Sequence, residues 1–130
     1  MHTHIPDTDP TRTSYVARVA AAIAELDHQR AQATAMPHRS DAEHAARAAR
    51  LALICARASA WWGLLARATY LDHDVHTLHG RTALIAQHAE KDNARFWRDA
   101  AADWTARAER RPTSDAAGAL SNWRELEVTA

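Results

Sequence analysis

The stretch Ser40–Leu71, SDAEHAARAARLALICARASAWWGLLARATYL, decides how the rest of the chain is read. Ser40 followed by Glu43 forms the S-x-x-E pattern of a capping box, in which each side chain satisfies an orphan backbone N–H of a helix's first turn. Pro37 lies just upstream, where a preceding helix cannot continue. From Asp41 to Leu71 there is no proline, and Ala, Arg and Leu, the strongest helix formers, dominate. At 100° per residue, Leu51, Ile54, Ala58, Trp61, Leu65 and Ala68 fall on one stripe, with Leu53 and Leu64 on one flank and Cys55 and Trp62 on the other. The opposite face carries Ala45, Ala49, Ala52, Ala56, Ser59, Ala60 and Gly63 where a surface helix would carry Glu and Lys. A helix with a bulky face and a small-residue face can be packed from both sides. Ala45, Ala49, Ala52, Ala56, Ala60 and Gly63 are therefore the expected partner-packing face.

Outward from this segment the chain reads as further helices. Val16, Val19, Ile23 and Leu26 set a helical stripe from Ser14 to about Ala35, with Thr13 or Ser14 as N-cap. The short turn Met36–Arg39 favours antiparallel packing of this helix on the central one. Residues 1–13 carry two prolines and no period, and read as a flexible arm before a single domain over 14–130. Beyond Leu71, the residues Val75, Leu78, Thr82, Ile85, Ala89 and Phe96 continue a stripe at spacings of three and four. An unbroken helix from Asp74 to Arg110 would be ~55 Å long, so a break near Gly80 or Lys91–Asn93, or an elongated molecule, is expected. Pro112 ends that helix. The final segment starts at Ser114, spaces Leu120, Trp123 and Leu126 as a short helix would, and is net acidic. It is expected to dock on the arginine-bearing central helix. The fold class is thus all-α: an antiparallel bundle of three long helices plus a short C-terminal one.

Composition narrows the function classes. Lys+Arg and Asp+Glu both number 16, so net charge argues neither for nucleic acid nor for an anionic membrane. Lys91 is the single lysine, and the arginine bias together with abundant alanine reads as the codon usage of a GC-rich bacterium. Leu, Ile, Val and Phe total 19 of 130 residues, which leaves a thin core of Leu and Trp and favours a chain that associates. One cysteine and no secretory signal point to a reducing cytoplasm. Arg57 would sit near mid-membrane in a spanning Arg50–Leu71, at a cost of about 2.5–3.5 kcal/mol, so no membrane span is expected.

Motifs for chemistry are sparse. Asp72, His76 and His79 stand at i, i+4 and i+7 and form a weak metal candidate. The next carboxylate on that stripe, Glu90, lies ~16 Å further along and cannot share an ion. Glu25 and His28 have the spacing of a carboxylate-bundle ligand pair, yet both rotate away from the Val19–Leu26 stripe. Cys55 sits mid-helix beside the apolar face, where a free thiol is a small hydrophobe. No serine stands on a glycine elbow. Neither catalysis nor a cofactor is expected.

The arginines are the remaining polar signal. Arg47, Arg50 and Arg57 border the bulky stripe, while Arg95, Arg98, Arg107, Arg110 and Arg111 interleave with Phe96, Trp97 and Trp104. That mixture suits single-stranded nucleic acid by stacking and phosphate contact. It equally suits arginine stems laid along apolar surface. The expectation is a non-enzymatic helical subunit or adaptor that self-associates or packs into a larger assembly. The alternatives are an accessory nucleic-acid-binding subunit and, third, a His/Asp metal-binding bundle. Size and helix content invite comparison with the small subunits of CRISPR effector complexes and with phage or plasmid accessory proteins, but no motif carries that comparison to a family.

Overall fold

The computed structural model describes residues 10–71 and 77–110, with side chains over 15–71 and 79–110. It holds three helices in chain order: α1, Pro10–Thr34; α2, Asp41–Leu71; and α3, Thr77–Ala108. No strand occurs among the described residues. The expected C-terminal helix, its acidic docking on the central helix and Arg111 lie outside the described residues.

Local chemistry explains the boundaries. The capping box at the start of α2 is formed as the sequence implies: Glu43 N–H donates to Ser40 Oγ at 3.1 Å and Ser40 N–H to Glu43 Oε1 at 3.2 Å. α1 starts at Pro10 rather than at Ser14, because proline at a first helical position loses no hydrogen bond and presets φ. α3 ends where Arg110 takes φ 57°, a left-handed residue whose N–H donates to Arg107 O at 3.0 Å.

α3 runs without a break through Gly80 and Lys91–Asn93, so the elongated alternative holds. At 1.5 Å per residue the helix spans ~48 Å. Gly80 is tolerated because it is buried against α2. A Cβ there would lie 3.1 Å from Thr69 Oγ1 and 3.3 Å from the Tyr70 ring.

α2 lies between its two neighbours and packs more extensively on α3 than on α1. The core is built from Leu26 and Ala33 of α1 and Leu51, Ile54 and Ala58 of α2. Met36 from the turn, Trp61 and Trp62 of α2 and Trp97 of α3 close over it. One flank of the expected α2 stripe stays wet, since Leu53 and Leu64 are exposed. α1 is tied antiparallel to α2 along its length: Tyr15 Oη reaches Leu64 O, Arg50 donates to Gln29 Oε1 and Arg47 Nε donates to Thr34 O.

The largest departure from the sequence reading is the rotation of α3. Its inward face is Gly80, Ala83, Gln87, Glu90, Ala94, Trp97, Ala101 and Trp104, a strict alternation of three and four. The expected stripe is turned outward: Ile85 is 67% exposed and Phe96 63%, and Thr82 and Ala89 are exposed beside them. Close approach to α2 explains the choice. Ser59 Oγ donates to the Gln87 backbone carbonyl at 3.2 Å, and Gly63 leaves room for the Gln87 side chain. Helices that come this near need small residues at the seam, and Ile85 and Phe96 would hold them apart.

Candidate functional site

Three features stand out from the scaffold: a polar junction inside the bundle, a cation–aromatic cluster at one end, and the apolar outer face of α3.

The junction lies where all three helices meet. Arg30 of α1 donates through Nη2 to Glu90 Oε2 of α3, joining two helices that otherwise barely touch. Glu90 is there because it occupies a seam position of α3, so its carboxylate is turned toward α2. Cys55 of α2 is buried nearby and is free of any disulfide. The hydrogen bond that Arg30 donates to the Glu90 carboxylate raises the guanidinium above its already high pKa. Burial pushes the Cys55 thiol above its ordinary 9.0; Arg30 opposes that shift and Glu90 adds to it. A thiol held neutral in this way is a poor nucleophile. Arg30 Nε is buried without a hydrogen-bond partner among the described residues. The arrangement pins α1 to α3 and lacks an activated nucleophile.

The second feature sits around the α1–α2 turn. The His44 ring stacks on Trp104 with centroids 4.0 Å apart and planes 10° apart, and His38 meets His44 edge-on at 5.5 Å. The Arg107 guanidinium lies 4.8 Å from the Trp104 ring centroid, and the Arg47 guanidinium 5.7 Å from that of Trp97. Phe96 packs edge-on against Trp97 at 5.1 Å. Beside this cluster a shallow cleft of about 630 Å³ is lined by Ala35, Met36, Pro37, His38, Arg39 and Glu43. Much of the aromatic surface a stacked base would use is thus already covered by cations of the same chain.

The arginines named from the sequence separate into two groups. Arg47, Arg50 and Arg107 lie against α1 or against the tryptophans. Arg57, Arg95, Arg98 and Arg110 lie on no ring of the described residues and, like Arg50 and Arg107, are exposed. Arg98 and Arg107, nine residues apart at 100° each, stand on opposite sides of α3. The structure therefore does not gather all of them on one surface.

The small-residue face of α2 is divided as well. Ala49 and Ala60 are exposed, Ala45, Ala52 and Ala56 are half-buried, and Gly63 is filled by Gln87 of α3. The deeply buried alanines of this helix are instead Ala48, Ala58 and Ala66. Asp72 and His76 lie outside the described residues, and His79 is exposed. Among the described residues no cluster of His, Cys, Asp and Glu is placed to hold a metal. Glu25 and His28 point outward and meet their own helix neighbours Gln29 and Gln32. No described helix is long and apolar enough to cross a membrane.

Sequence reasoning missed the Arg30–Glu90–Cys55 junction, although its signal was present. Trp97 and Trp104 are one heptad apart, and stepping back from them by three and four reaches Glu90 and Gln87.

The class these features define is an all-α antiparallel three-helix bundle in which Ile85 and Phe96 of α3 are exposed among the described residues. Comparison with known proteins gives no family model, no curated protein and no solved structure that matches the chain.

Proposed function

We propose that this protein is a non-enzymatic helical subunit or adaptor whose third helix is covered in an assembly. The observation that carries the reading is the outer face of α3, where Ile85 and Phe96 stand mostly in water, with exposed Leu84 beside them. Large apolar side chains repeated along one helix face mark a surface meant to be buried. The interior supports the same reading, since the Arg30–Glu90 pair and the Ser59–Gln87 hydrogen bond among the described residues tie helices together.

The test compares the wild type with Ile85→Asp/Phe96→Asp by light scattering and thermal unfolding. The wild type should exceed 14.4 kDa or lose solubility as concentration rises. The variant should stay monomeric and soluble with unchanged helix content and a melting temperature that no longer rises with concentration, because both sites are exposed. A wild type that remains a soluble monomer at high concentration, with a variant that melts lower, refutes the reading.

A second reading rests on the exposed arginines of α2, of α3 and of the turn after it: an accessory subunit that contacts single-stranded nucleic acid through Arg57, Arg95, Arg98 and Arg110, whose guanidinium groups lie on no ring of the described residues. It expects an elevated 260/280 nm absorbance ratio that falls with salt. Purified protein free of nucleic acid, with no mobility shift at low salt, removes it.

A further inference from the structure

Resting on the assembly reading, we infer that the outer face of α3 binds a second copy of this chain, with the two α3 helices antiparallel about a twofold axis near Glu90–Lys91.

The argument starts from spacing. Thr82, Ile85, Ala89, Asp92, Phe96 and Asp99 recur at three and four on the outer side of α3, so this helix has a second seam opposite the one that grips α2. All six are exposed. In an antiparallel alignment Ile85 meets Phe96 of the second copy, and the twofold repeats that contact on the other side of the axis. Ala89 then lies near the centre, where a small residue lets two helices cross closely.

Charge decides the direction. The same alignment sets Arg81 beside Asp99 of the second copy and His88 beside Asp92, each pair occurring twice. A parallel pair would place Arg81 level with Arg81 and Asp99 level with Asp99, which is repulsive at both levels, whereas Asp92 lies within ~4.5 Å of its own copy along the antiparallel axis and does not set the direction. Arg81, His88, Asp92 and Asp99 are all exposed, and none forms an ion pair with another described residue. Self-complementarity about a twofold is what an isologous interface requires of one surface.

The experiment is light-scattering chromatography of the full chain over a concentration series, with charge-swapped variants. The wild type should reach twice 14.4 kDa. Phe96→Asp should raise the dissociation constant at least ~tenfold while leaving helix content unchanged. Arg81→Glu alone and Asp99→Arg alone should each weaken the dimer, and the double variant should restore it, because the swap re-forms both pairs only in the antiparallel register. A dimer indifferent to Phe96→Asp, or a swap that rescues nothing, overturns this interface but leaves the assembly reading standing. A wild-type monomer whose solubility improves with Ile85→Asp/Phe96→Asp overturns the second copy in favour of a different protein partner. A wild-type monomer destabilised by those substitutions shows the face covered by residues 111–130 of its own chain, and overturns both.

Discussion

Removing the Glu90 carboxylate should unfasten α1 from α3, and the structure sets the size of the effect. Exposed ion pairs contribute about 0–1 kcal/mol, while breaking a buried one costs about 3–5 kcal/mol. The pair here falls between, with Arg30 32% and Glu90 14% exposed. Arg30 also has Nε already unpartnered, so losing Glu90 leaves a half-buried cation with little compensation. Glu90→Ala should therefore cost about 2 kcal/mol, and Glu90→Gln about half that, since the amide still accepts a bond. For a domain of this size ~2 kcal/mol lowers the melting temperature by ~6–10 °C. Arg30→Met/Glu90→Leu should recover most of the loss, because replacing both partners by apolar groups removes the stranded charge. Thermal unfolding followed by circular dichroism on Arg30→Met, Glu90→Leu and their double gives the coupling energy directly. Singles that melt within ~1 °C of the wild type, or a double whose loss is the sum of the two, would refute the account of the junction.

Other perturbations test other parts of the structure. Gly63→Ala should be near neutral: the helix gains about 1 kcal/mol of propensity, while a Cβ 2.6 Å from Gln87 Nε2 displaces only the tip of a flexible side chain. Gly63→Leu should drive α2 and α3 apart and lower the melting temperature steeply, and equal melting of the two variants would deny the close approach. Ser40→Ala removes the Oγ acceptor of the capping box and should cost about 1 kcal/mol in urea unfolding, with an unchanged midpoint as the contrary result. Because the folded state raises the Cys55 pKa, stability should hold below the unfolded thiol's ordinary pKa and decline as pH rises above it. Melting curves from pH 7.5 to 9.5 should show that decline in the wild type and a flatter trend in Cys55→Ala; parallel trends would contradict it.

The ends and the centre of α2 were legible from sequence because single residues specify them. Ser40 and Glu43 satisfy named backbone groups, and Leu51, Ile54 and Ala58 are apolar at the right spacing with no rival stripe. α3 was misread because it carries two apolar registers and size alone favoured the wrong one. Ile85 and Phe96 are large, and Gly80, Ala83 and Ala94 are small, so a count of buried area chooses the former. The chain instead satisfies interhelical distance, a property of two helices together that one helix's pattern does not display. Glu90 was hidden for the same reason. A lone carboxylate reads as solvated until its seam position and Arg30 of a distant helix are both known. The arginines were legible as a group but not by role, because Arg47 and Arg107 find their ring partners through the packing of α2 on α3.

The alanine seam of α3 has a calorimetric consequence. Unfolding exposes little apolar surface along much of this interface, where Ala83 and Ala94 stand between the start of α3 and Trp97, and Ala101 between Trp97 and Trp104; Ile85 and Phe96 are already exposed in the folded chain. The heat-capacity increment of unfolding should then fall below the ~12–15 cal/mol/K per residue common to globular domains. A small increment flattens the stability curve, so the bundle gains and loses little between cold and warm conditions. If the proposed assembly covers Ile85 and Phe96, the increment should rise and the maximum of stability become sharper.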